Sequence, residues 1–354
     1  MNRYNLLKKV GSIQQLAFVR PITYEEGKAK HLKAYDIKNG SLRFQVLADK
    51  CMDIGECSYK GINLSFLAKA GLTGNVECEQ SSSEPLRSLM GGLLFTCGLD
   101  NTCLPCTVAG KDYSLHGSIR NTPAEHLSAD ASWQDDSYKL RISGEMREAS
   151  LFGNNMTLKR SIETVYGTKE IKIIDIIENL SYQEQPMMIL YHFNIGYPLL
   201  DKEARVLIPT KAVVPRDDAA KKAEDLWDSM EAAIENEPER VYLHELASDK
   251  DGNTKVCLIN ESIGLGIQIS FNKKYLPRFV QWKTLAAGDY AMGLEPTNAG
   301  VYGRAAEGEQ VHKIRPFEKE VMEIKVTILD GEEEIRTAEN EIKKLTSKQK
   351  EEER

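Results

Sequence analysis

The feature that most constrains this chain is a two-residue rhythm of apolar and polar side chains that returns again and again. In Val321 to Leu329, Met322, Ile324, Val326 and Ile328 fall on one face and Glu323, Lys325 and Thr327 on the other. Side chains on a strand point to alternate faces, so this rhythm marks a half-buried strand. Leu42 to Leu47, Tyr138 to Ser143, Leu158 to Val165, Ile171 to Ile177, Val256 to Ile259, Leu265 to Phe271 and Phe279 to Lys283 carry strand patterns as well. Met187 to Ile195 is apolar on both faces, as a fully buried strand would be. Gly, Asn, Asp and Pro separate these runs. Many short strands with turn residues between them predict an all-β chain built as a large antiparallel β-sandwich or barrel. Strand–helix alternation, which a doubly wound fold needs, is missing.

Three segments depart from the rhythm. Glu84 to Leu89 reads as a helical turn. Asp217 to Glu235, rich in Ala, Glu and Lys, predicts a helical insertion over about 217–236 with Ala223, Leu226, Trp227 and Met230 on one side. Residues 331–354 read as a charged C-terminal helix or tail, in which Ile335, Ala338, Ile342 and Leu345 give one packing face. No linker divides residues 1–330, which read as a single β-sandwich domain. With 46 Lys and Arg against 53 Asp and Glu, the net charge of −7 argues against a nucleic-acid or anionic-membrane partner. No apolar run approaches the ~18–20 residues of a membrane helix. Met1 to Val19 lacks a cleavable signal pattern, so the seven cysteines are expected as reduced thiols in the cytoplasm. The two helical segments are candidates for lid or assembly roles, a homo-oligomer among them.

Among six histidines, His31, His126 and His312 lie in polar, loop-like surroundings, and His244 fits a strand or a loop. His116 is followed by Gly117, which permits close approach of backbone or ligand. His192 interrupts an apolar strand and must find a partner there. Each reads either as a satisfied core histidine or as a proton-transfer group. Glu295, between Leu294 and Pro296 at the end of an apolar strand, reads as a desolvated carboxylate with a raised pKa or as a turn cap. Arg120 and Asp53 are further polar groups in Gly-containing or apolar settings. Trp282 is either core or a platform for a sugar ring. Cys103-Leu104-Pro105-Cys106, flanked by Cys97 and His116, is compatible with a zinc site or a redox pair but lacks the usual second half. The Gly91 to Gly98 segment lacks the Gly-Lys-Ser/Thr ending of a P-loop.

Five segments in order then resemble the galactose mutarotase-like superfamily, the aldose 1-epimerases, and most of all its DUF4432 branch. They are Asp49-Lys50-Cys51-Met52-Asp53-Ile54, Gly91 to Leu99, Leu115-His116-Gly117, Tyr191-His192-Phe193-Asn194 and Leu294-Glu295-Pro296. The resemblance implies a mutarotase-like supersandwich with a concave sugar-binding face. It implies His192 as general acid, Glu295 as general base and His116 as a substrate contact. Arg120, Asp53, Asn194 and Trp282 complete the expected substrate contacts. The implied reaction interconverts the anomers of a free or modified aldose by ring opening, with no cofactor and no metal, and its partner is a small sugar. The Asn-Arg and Asp-His-Asn segments that read substrate hydroxyls in authentic mutarotases have no clean match. Two alternatives stay open: a metal-dependent sugar isomerase or lyase using His116, His192 and Glu295 as ligands, and a carbohydrate-binding protein without turnover.

Overall fold

The computed structural model describes residues 2–74 and 84–352. Cys78 lies outside them; the other six cysteines are free thiols. The expected strands form, and the strands of each sheet pair antiparallel. An eight-stranded sheet runs in the order Arg205–Leu207, Asn253–Asn260, Leu265–Asn272, Lys319–Asp330, Glu170–Asn179, Asn155–Val165, Ser137–Ala149, Glu125–Gln134. A five-stranded N-terminal sheet spans Ala17–Thr23 to Ile62–Asn63. The sheet that matters for function has six strands: β1 Leu94–Leu99, β2 Met188–Ile195, β3 Thr210–Pro215, β4 Arg240–Leu246, β5 Arg278–Thr284 and β6 Ala291–Thr297. Its spatial order is β3-β4-β5-β6-β2-β1. The inward side chains of the three sheets share one hydrophobic core, with Met322, Ile324, Val326 and Ile328 from the clean alternation all inside it.

A charged knot crosses this core. Arg160, fully buried, holds Asp175 through two bonds of 2.9 and 2.7 Å and Asp53 through one of 2.9 Å. Tyr191 donates to Asp175 at 2.8 Å, and Asp53 accepts from the Thr96 backbone N–H at 2.9 Å and hydroxyl at 2.6 Å. Asp53, Thr96, Arg160 with Asp175, and Tyr191 come from different strands, so the knot locks the three sheets in register. Buried charges are tolerable only when paired in this way.

The helical insertion is shorter than expected. Only Asp218–Lys222 is α-helical, followed by a 3-10 turn at Glu224–Leu226 and irregular chain. Neighbouring strands take the carbonyls that a longer helix would have used. Tyr242 donates to Ala223 O, Lys283 Nζ to Leu226 O and Ser229 O, and Gln281 to Trp227 O, at 2.6–2.9 Å. These tertiary bonds outweigh helix propensity. The C-terminal helix forms over Glu332–Glu352, and Ile335, Ala338 and Ile342 pack on Cys257, Ile259 and Leu329. No helix among the described residues is long and apolar enough to cross a membrane.

Candidate active site

Strand parity builds the site. In β2, Ile189, Tyr191, Phe193 and Ile195 enter the main core, so Leu190, His192 and Asn194 face the other way. In β6, Met292 and Leu294 enter the core and Gly293 and Glu295 face out. Cross-strand register sets His192 against Phe95 of β1, Asn194 against Gly293, Glu295 against Val280 of β5, and Trp282 against both Gly293 and Val241 of β4. Together with loop residues Phe66, Leu89, Leu115, His116 and Val301, these side chains line a cavity of ≈350 Å³.

His192 and Glu295 meet on the cavity floor, with Nε2 3.0 Å from Oε1. The His192 side chain is 12% exposed and that of Glu295 3%. Burial pushes the Glu295 carboxyl well above its ordinary range; the Glu239 charge adds to this and Arg216 opposes it. Burial pushes the His192 imidazole down to about 3, and the Asn194 side chain pulls the other way. Both shifts favour the uncharged forms, so between those two titrations the pair holds one proton rather than none or two. Gly293 makes their meeting sterically feasible. A Cβ there would lie 2.6 Å from Glu295 Oε1, 2.8 Å from His192 Cε1 and 3.0 Å from Trp282 Cβ.

His116 closes one side of the pair, its ring 6.0 Å from that of His192 and 5.9 Å from Phe95. Its backbone is left-handed, with φ of 60°. Gly117 follows at φ 72°, and a Cβ there would lie 2.3 Å from Gly98 O, so glycine is what lets the loop pass so close to β1. His116 Nδ1 is 3.2 Å from the Cys97 thiol, which burial keeps protonated by raising its pKa. Burial, with the nearby His192 and Arg120, lowers His116 to about 3, so this ring is neutral too. The Asn194 amide donates to Gly92 O at 3.1 Å and His192 O at 3.0 Å, bracing the strand while lining the cavity. The Trp282 ring lies 5.5 Å from His192, and its Nε1 donates to Glu239 at 2.8 Å.

Two expected substrate contacts require correction. Asp53 is 0% exposed and serves the core knot described above, on the far face of β1 from the cavity. Arg120 is 1% exposed and stands behind the wall, with Nη1 3.5 Å from Ser88 Oγ. It acts on His116 through its charge, not by lining the cavity. His244 is buried within β4 and bonds Gln281 on the core side. Arg216 and Glu239, paired at 2.7 Å at the cavity edge, were not anticipated from sequence. Of the C-x-x-C pair, Cys103 lines the cavity and Cys106 does not. Among the described residues, no three His, Cys, Asp or Glu side chains are placed to hold one metal ion, so the proposed three-ligand set is not assembled.

Comparison with known proteins agrees with this architecture. The profile of the family described as Domain of unknown function (DUF4432) matches residues 29–328. A candidate aldose 1-epimerase from Klebsiella pneumoniae subsp. pneumoniae superposes with a TM-score of 0.88 at 22% identity, over 93% of this chain and 87% of that one. A galactose mutarotase-like protein from Clostridium acetobutylicum gives 0.59 at 16%, over 89% and 99%. Galactose 1-epimerase from Lactobacillus acidophilus gives 0.55 at 14%, over 89% and 100%. At these identities the likeness establishes the mutarotase-like fold. No curated protein sequence matches the chain.

Proposed function

The chain belongs to the DUF4432 family, and we propose that it is an aldose 1-epimerase-type enzyme that interconverts sugar anomers by acid–base ring opening. The observation that carries this reading is the His192–Glu295 pair, 3.0 Å apart on the floor of a sugar-sized cavity. The fold that the chain shares with galactose 1-epimerase from Lactobacillus acidophilus supports it.

In the closed sugar, O1 and the ring oxygen are both bonded to C1, so two groups in contact can address both. With the single proton of the pair moved from Glu295 to His192, the Glu295 carboxylate takes the O1 proton and the His192 imidazolium gives one to the ring oxygen. The C1–ring-oxygen bond breaks as the C1=O1 bond forms. After rotation about C1–C2, the reverse steps close the ring on the other face. The protein holds one proton on the pair throughout and exchanges none with solvent. Opening converts a charged pair into a neutral one, which is the form that burial favours. Help of this kind is typically worth ~10²–10⁴ in rate. With the Cys97 thiol as donor to His116 Nδ1, His116 carries an Nε2–H that can donate to a substrate oxygen.

Polarimetry tests the reading: crystalline α-anomers of a panel of aldoses are dissolved with and without protein. Faster decay of rotation, lost in His192→Gln, is expected. A well-folded sample that accelerates no aldose would overturn it.

A further inference from the structure

The walls around the acid–base pair are unusually short of groups that could receive sugar hydroxyls. In register, Phe95 stands opposite His192 and Val280 opposite Glu295, with the indole of Trp282 and, opposite it, Val241 beside them. From above, Phe66, Leu115 and Val301 face the same space. Most of the polar side chains that do line the cavity are already committed. Both donors of the Asn194 amide are used on main-chain carbonyls. The Glu239 carboxylate accepts from Arg216 at 2.7 Å and Trp282 at 2.8 Å, and Arg216 also reaches Asp217 at 3.2 Å. His116, His192 and Glu295 are occupied by the reaction at C1 and the ring oxygen, so the Asn194 Oδ1, the remaining N–H groups of Arg216 and the Cys103 thiol are the side-chain groups left for other hydroxyls, and none of them belongs to the valine wall.

An ordinary aldohexopyranose carries hydroxyls on C1, C2, C3, C4 and C6, so every carbon but C5 presents one. Seated here, at least one hydroxyl would lose its water against Val241, Val280 or Val301 and gain no partner. A carbon bearing only hydrogen meets no such cost and adds apolar contact. We propose that the substrate is a deoxy-aldose, a sugar that presents a methyl or methylene group to the Phe95–Val241–Val280–Val301 wall. This rests on the epimerase reading and specifies the substrate class of the same site.

Matched pairs test it: D-glucose against 6-deoxy-D-glucose, D-galactose against D-fucose, and L-mannose against L-rhamnose. Anomer exchange is measured for each member, and saturation-transfer difference NMR reports which protons touch the protein. The expected result is a kcat/KM ratio of ~10–100 for the deoxy member of at least one pair, with the methyl protons most strongly saturated. The near-isosteric Val280→Thr places a hydroxyl on the wall and should cut that ratio roughly fivefold or more. Val241→Thr gives a second, independent probe should the first fold poorly. Parent hexoses exchanged as fast as or faster than their deoxy partners would overturn the inference and leave the epimerase reading intact. Strong methyl saturation without exchange of any sugar would overturn the epimerase reading and support the apolar subsite. Neither exchange nor saturation for any pair would overturn both.

Discussion

Replacing Gly293 by alanine is the sharpest perturbation the structure offers, because one methyl group acts on both side chains of the proposed acid–base pair. The new Cβ would lie 2.6 Å from Glu295 Oε1 and 2.8 Å from His192 Cε1. To reach an ordinary 3.4 Å contact, the carboxylate must retreat by about 0.8 Å and the ring by about 0.6 Å. The Trp282 Cβ at 3.0 Å blocks the third direction. A misplacement near 1 Å costs on the order of 10² in rate when positioning carries the catalysis. That fall corresponds to about 2.7 kcal/mol of barrier. Overpacking of this kind also costs ~1–3 kcal/mol of stability, which leaves a protein this size folded. Anomer exchange gives the rate, and urea unfolding followed by tryptophan fluorescence gives the stability. Gly11→Ala, where a Cβ meets nothing within 4 Å, is the control. A Gly293→Ala protein that turns over at the wild-type rate would refute the claim that the His192–Glu295 contact is the working geometry.

Three further outcomes follow from the same physics. Arg160→Met strands Asp53 and Asp175 in the core and should cost ~3–5 kcal/mol in urea unfolding; a loss under about 1 kcal/mol would show that the knot does not hold the sheets. Burial already holds Asp53 up at about 6, so its folded form is penalised above the unfolded carboxylate pKa, and removing Arg160 extends that penalty upward. The deficit of the variant should therefore shrink as pH falls through that range, and a deficit that grows on acidification would reverse the sign argued here. The rate should form a plateau bounded below near pH 3, where His192 takes a second proton, and above where Glu295 releases its proton, well above the ordinary carboxylate range; a rate that falls through the ordinary carboxylate range would contradict this. Glu239→Gln removes a charge that raises Glu295, so the alkaline limb should move to lower pH; an upward move would contradict the electrostatics.

Much of this molecule could be read before folding. Period-two alternation located the strands because each has one face in water or in a second layer, and that requirement is written residue by residue. The catalytic candidates were visible for a related reason: His192 and Glu295 are polar intrusions in apolar strands, which a chain tolerates only with a partner. Asp53, between Met52 and Ile54, carries the same signal and reads as a substrate contact, but its partners lie in the core. What the pattern could not show was the face: Thr96 points to the core and Phe95 to the cavity, and Asp53 pairs with Thr96. Arg216 and Glu239 escaped notice because charges at strand ends usually lie in solvent. They flank the Ala-rich insertion, and the antiparallel pairing of β3 with β4 across it brings them together. The insertion itself was misjudged because its carbonyls are claimed by Tyr242, Gln281 and Lys283, side chains distant in sequence.

The central claim is that one proton shared by His192 and Glu295 opens and closes a sugar ring. Saturation-transfer NMR between the α and β anomeric protons measures that exchange at equilibrium, without coupling enzymes. With a deoxy-aldose as probe, wild-type protein should transfer saturation between the anomers, and Glu295→Gln, folded and near-isosteric, should transfer no more than buffer does. Exchange undiminished in Glu295→Gln would contradict the account, because the group assigned to take the O1 proton would then not be needed.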